Sequence, residues 1–149
     1  MEIKGKKYSI NLWDTIGQEK YKSLTKIFIK GAKIIIFVYD ISNRQTFNEL
    51  NYWIERAKEL INERTIMGLL GNKGESILKQ EVKEEEGRQL AKDNGFEFAI
   101  NSNKEPIFCE FLEKLVKKYI GINIEEEENK GKKLKVEKKK SANKKKKCL

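Results

Sequence analysis

Three short runs carry the groups most able to do chemistry. Trp13-Asp14-Thr15-Ile16-Gly17-Gln18-Glu19 brings an acid, a glycine and an amide together. At Gly17 a backbone amide can approach a terminal phosphate oxygen without side-chain obstruction, and Gln18 beside it can orient an attacking water. Gly71-Asn72-Lys73-Gly74-Glu75 and Ser102-Asn103-Lys104 are the other two runs, both polar and both preceded by apolar stretches. Water attack on a phosphate is the chemistry such a set suggests, provided the fold gathers the three runs.

The intervening sequence predicts how they are gathered. Tyr8, Ile10 and Leu12 alternate with Ser9, Asn11 and Trp13, a period of two that predicts a half-buried strand over 7–13. Asp14 closes that strand. The run 34–39, Ile-Ile-Ile-Phe-Val-Tyr, is continuously apolar and ends in Asp40, as in a parallel strand covered by helices on both faces. Phe47, Leu50, Ile54, Ala57 and Ile61 then recur at helical spacing, with Ser42 or Asn43 as cap, and predict a helix of about five turns. Residues 65–71 read as another buried strand, 81–93 as a polar helix stopped by Gly95, and 96–101 as a short strand. Pro106 can open a last helix whose core stripe is Ile107, Phe111, Leu115 and Tyr119, with Leu112 and Val116. Strands alternating with helices imply a three-layer α/β domain with ligand loops at the carboxyl ends of parallel strands, which is where all three polar runs fall.

Charge divides the chain. The whole carries +9, but eleven lysines against one glutamate put +10 on residues 129–149 and leave the preceding residues at −1. Like charges in a block repel and cannot enter a core, so 125–149 is expected to be a disordered polybasic tail after one domain over 1–124. A nearly neutral body argues against a folded, specific nucleic-acid-binding face. Cys109 and Cys148 are the only cysteines and histidine is absent, so a disulfide framework and a His/Cys zinc site are both unsupported and a reducing compartment is expected. No apolar run approaches the ~20 residues that span a bilayer.

The first run closely resembles the WDTAGQE segment of Ras-superfamily GTPases. Tyr21-Lys22-Ser23-Leu24-Thr25, Lys30-Gly31-Ala32, Val38-Tyr39-Asp40-Ile41, Phe47 and Trp53 resemble, in order and spacing, the pattern of the Rab branch, and the likeness covers about 6–120. The resemblance implies a P-loop NTPase-like fold with a mostly parallel sheet, and GTP or GDP with Mg²⁺ as ligands. By the same resemblance Asp14 would hold Mg²⁺ through water, Gly17 would sense the γ-phosphate, and catalytic Gln18 would position the hydrolytic water. Residues 17–33 would form the second switch, through which effectors and GTPase regulators bind. Asn72 and Lys73 would frame the guanine ring, Glu75 would stand where an aspartate accepts two guanine N–H bonds, and Ser102, Asn103 and Lys104 would close over the base.

The sequence departs from that pattern. Ile16 replaces alanine, Glu75 replaces aspartate at a cost of ~1–3 kcal/mol in guanine recognition, and Asn103 replaces a small alanine. No Gly-x-x-x-x-Gly-Lys-Ser/Thr run occurs among the 149 residues. The resemblance therefore implies a domain lacking its first strand, first helix, phosphate loop and first switch, that is, a fragment or truncated form. Losing about five charge-assisted hydrogen bonds removes on the order of 7–15 kcal/mol, against ~12 kcal/mol for nanomolar binding. The expectation is a vesicle-trafficking GTPase with impaired nucleotide binding; the alternative is a noncatalytic, nucleotide-free interaction module that keeps the second switch and the tail. For the tail, the same resemblance, in which chains end in prenylated cysteines, implies that Cys148 beside Lys144 to Lys147 is a prenylated, polybasic anchor on the cytoplasmic face of endomembranes, with an acidic membrane surface as partner. The other reading is a solvated lysine tail serving nuclear import or anion binding. Asp40 reads as an ordinary strand-end residue, Phe47 and Trp53 as core.

Overall fold

The structure is a computed structural model that describes residues 1–3, 5–14, 28–73, 78–102 and 107–121. One compact unit spans Met1–Tyr119; of a second, Ile120–Leu149, only residues 120 and 121 are described. The elements run β1 (Glu2–Ile3), β2 (Lys6–Lys7), α1 (28–31), β3 (Ile34–Asp40), α2 (Arg44–Asn48), α3 (Leu50–Lys58), β4 (Ile66–Asn72), α4 (Glu84–Asn94), β5 (Glu97–Ile100) and α5 (108–121). β3, β4 and β5 form a parallel sheet in that order, and β1 pairs antiparallel with β2.

Parallel register places Phe37 beside Leu69 and Phe98, and Tyr39 beside Gly71 and Ile100. That face meets Leu50, Ile54 and Ala57 of α3 and Ala91 of α4, with Ile41, Val82 and Phe96 completing the core. Leu50, Ile54 and Ala57 follow the spacing of one helical face, and burying such a Leu or Ile side chain contributes about 1.5–3 kcal/mol. α4 reaches the sheet closely because residue 87 is glycine: a Cβ there would meet the Tyr39 hydroxyl and lie 2.7 Å from the Phe98 ring. On the opposite face Gly68 does the same for α5, where a Cβ would fall 2.8 Å from Phe111 and 3.0 Å from Leu115. Phe111, Leu112, Leu115 and Val116 are the buried stripe of α5. Helices therefore cover both faces of the sheet, the three layers that the alternation of elements predicts.

Four expectations are corrected. Of the strand predicted over 7–13 only Lys7, the end of β2, is a strand residue: Tyr8 and Ile10 are half-buried, but Leu12 and Trp13 are 64 % and 70 % exposed. A strand needs a ladder partner for its N–H and C=O groups, and among the described residues the pairing here ends at Tyr8, whose N–H donates to the Met1 carbonyl at 2.8 Å and whose carbonyl accepts from the Met1 amino group at 3.2 Å. β3 is not covered on both faces along its length: Phe37 and Tyr39 are buried, whereas Val38 is 53 % exposed. β3 pairs only with β4 among the described strands, and α5 packs on the opposite face over β4. The five-turn helix is interrupted at Glu49 and stops at Lys58; Asn43 rather than Ser42 caps it, its Oδ1 accepting from the Gln45 N–H at 3.0 Å. The polar helix begins at Glu84, three residues later than its charge pattern suggests, because Lys83 is extended at φ −68° and ψ 146° and serves as the N-cap, its N–H donating to Glu86 Oε2 at 2.9 Å. Pro106 lies outside the described residues.

Candidate functional site

The carboxyl ends of β3, β4 and β5 define one rim. Asp40 and Asn72 are register partners on β3 and β4, and the Asn101 N–H donates to the Gly71 carbonyl at 2.7 Å just past β5. Asn72 closes β4, Lys73 follows it, and Ser102 follows Asn101. The fold thus brings Asn72, Lys73 and Ser102 to one end of the sheet, as the sequence predicts. Asp14 is described and exposed at the end of the 8–14 stretch. Gly17, Gln18, Glu75, Asn103, Lys104 and Cys148 lie outside the described residues.

Asn101, which the sequence pattern marks only as the end of a strand, organises this rim. Its Oδ1 accepts from the backbone N–H of Phe108 at the start of α5 at 3.2 Å, and its Nδ2 donates to Asn72 Oδ1 at 3.2 Å. A backbone N–H can only donate, so the Phe108 contact fixes which way the Asn101 amide faces, and Asn101 in turn fixes Asn72. Asn72 is left with its amide N–H groups as donors for a ligand. A second carboxamide directly after β5 was the signal available in the sequence.

Lys73 adopts φ 63°, the one positive φ at a non-glycine position among the described residues. A left-handed L-residue costs roughly 1–2 kcal/mol and persists where its surroundings hold it. Its ammonium pairs with Asp40 Oδ2. The other carboxylate oxygen of Asp40 accepts from the Ser42 N–H at 2.9 Å and from the Ser42 hydroxyl at 2.6 Å, and the Asp40 N–H donates to Thr46 Oγ1 at 3.0 Å. Desolvation works against the Asp40 charge, but Lys73 and the two Ser42 bonds outweigh it and hold the carboxyl below its ordinary range. Asp40 is therefore more than a strand terminus. Next to it, Arg44 grips Glu86 through both terminal nitrogens at 2.5 and 2.9 Å and donates to the Glu81 carbonyl, tying α2 to the start of α4. The Arg44 bonds, followed by the Lys83 N–H, pull the Glu86 carboxyl down to about 2.

Amide N–H donors on Asn72 and the ammonium of Lys73 give the described rim hydrogen-bond donors for an acceptor-bearing ligand. Asp14 stands exposed at the end of its stretch, and among the described residues no three His, Cys, Asp or Glu side chains are grouped so as to hold a metal ion. Away from the rim, Trp13 stacks on Phe28 with ring centroids 5.1 Å apart, and both rings are exposed. The model of the Ras family matches residues 1–120.

Proposed function

This chain belongs to the Ras family of small GTPases, and from that premise we propose that it is a Rab-branch switch that reads guanine nucleotides at the rim formed by Asn72, Lys73 and Ser102. The observation that carries the reading is the Asn101–Asn72 hydrogen bond, which orients a base-directed amide beside Lys73 at the end of β4. Asp14, Gly17 and Gln18 supply, on this reading, the magnesium-water contact, the γ-phosphate contact and the water-positioning amide, with Glu75, Asn103 and Lys104 completing the base pocket. Bound Mg²⁺ supplies charge neutralisation at the phosphates; the residues of this chain orient base and water. The exposed Trp13–Phe28 pair, with the second switch at 17–33, is the surface offered to effectors and regulators in vesicle trafficking. The lysine tail and Cys148 direct the chain to acidic cytoplasmic faces of endomembranes, with Cys148 as the prenylated residue.

Nucleotide affinity of these 149 residues is weak on this reading, because no Gly-x-x-x-x-Gly-Lys-Ser/Thr run is present to cradle the phosphates. The same observation, with the exposed aromatic pair, favours a second reading: a noncatalytic module that competes for GTPase regulators. Titrating the chain with fluorescent GDP and ADP in Mg²⁺ separates them. Weak binding that prefers GDP over ADP supports the guanine site. Equal or absent binding at millimolar nucleotide overturns it in favour of the module, and submicromolar GDP binding refutes the indispensability of the phosphate loop.

A further inference from the structure

We propose that Asp40 is a positioning residue of the base-recognition loop, holding the Lys73 ammonium and the left-handed Lys73 backbone in the arrangement that receives a guanine nucleotide. The proposal rests on the guanine reading of the rim. Its grounds are geometric. Asp40 and Asn72 face each other in register across β3 and β4, which puts the Asp40 carboxylate directly beside the residue that follows Asn72. The two carboxylate oxygens hold different partners, Oδ1 taking both Ser42 bonds and Oδ2 taking Lys73. The Ser42 bonds lock the carboxylate rotamer, so Oδ2 is aimed at Lys73 whether or not a ligand is present.

The exposures of the two partners show which one a ligand can reach. The Asp40 side chain is 18 % exposed and that of Lys73 is 55 % exposed. The anion is thus anchored in the frame while the cation stands at the surface, its stem directed by the anchor. An unanchored lysine samples many rotamers and loses them on binding; an anchored one has already lost them. Asn101 performs the equivalent service for Asn72, so both base-directed side chains are set from neighbouring strand ends.

The test is a double-substitution cycle on the 149-residue chain, with Asp40→Asn, Lys73→Ala and both together, and GDP affinity read by displacement of fluorescent GDP. Asparagine keeps an oxygen for Ser42 and removes the charge that holds Lys73. Asp40→Asn is expected to weaken GDP about fivefold to tenfold, less than a fully buried pair would because Lys73 is exposed. In the Lys73→Ala background the same change is expected to alter affinity less than about twofold, since its object is gone. Asp40→Glu should recover part of the loss. An equal loss in both backgrounds would mean that Asp40 acts through the fold at large, and would overturn the proposal, as would no loss in either. Failure of the unsubstituted chain to bind GDP at millimolar concentration overturns the guanine reading instead. The tether is then judged by the NMR signal of ¹³C-dimethylated Lys73, which Asp40→Asn must shift if the pair exists in solution.

Discussion

The sequence presents 7–13 and 65–71 as strands, and the two stretches end in opposite conditions. β4 is hydrogen-bonded on both edges, to β3 and to β5, and is buried at Ile66, Leu69 and Leu70. The 8–14 stretch carries most of the alternating pattern, yet among the described residues it has no ladder past Tyr8 and exposes Leu12 and Trp13. Side-chain pattern proposes a strand; a partner for the backbone makes one. On the proposed reading the two stretches divide the labour, one fixing the rim through a paired strand and the other carrying the aromatic surface without one.

Truncation on each side should widen this contrast. Leu69→Ala removes a side chain with no exposure and is expected to cost about 2–5 kcal/mol in urea unfolding; Leu12→Ala in the other stretch should stay within about 0.5 kcal/mol. A comparable loss from both would mean that 8–14 is packed in solution. Next in size is the alkaline limit. Tyr39 lies inside the sheet–helix core with no hydrogen-bond partner for its hydroxyl among the described residues, and burial, then the Glu84 and Glu86 charges, push it up to about 12. Its folded pKa lies above the unfolded one, so its contribution is complete below pH 10 and is lost as pH rises toward 12, a change on the order of 1–3 kcal/mol. Tyr39→Phe should abolish that alkaline limb of a stability–pH curve and leave the acid limb, where depressed Glu86, Glu97 and Asp40 lose their contribution as pH falls below about 4. Smaller still is Asn101→Ala, expected to cost about 1–2 kcal/mol by freeing both Asn72 and the first N–H of α5. An unchanged unfolding midpoint would show that water replaces both bonds.

How much was legible follows the same division. The strands over 34–40, 66–72 and 97–100 and the helices after them were readable to within a few residues, because apolar runs, helical spacing and Gly95 each have a local physical cause. The gathering of Asn72, Lys73 and Ser102 was readable as well, since parallel strands put their carboxyl ends on one side. What was not readable depended on partners far away in sequence. Nothing local in 8–14 says whether a ladder will form, nothing in Ile34-Ile35-Ile36 says that one face of β3 stays partly open, and nothing near Asp40 shows that its oxygens will divide between Ser42 and Lys73. Asn101 escapes a sequence reading for the same reason: its two contacts are to residues on two other elements.

The central place of β4 also sets the order in which the molecule comes apart. A strand held on both edges and roofed by α4 and α5 opens only when the whole domain opens, whereas a stretch without a ladder can detach and return by itself. Asn72, the last residue of β4, is paired with Asp40 of β3 and accepts from Asn101 just past β5. Trp13 lies beyond any ladder among the described residues, so backbone hydrogen exchange is expected to be fast around it and slow at the middle of β4.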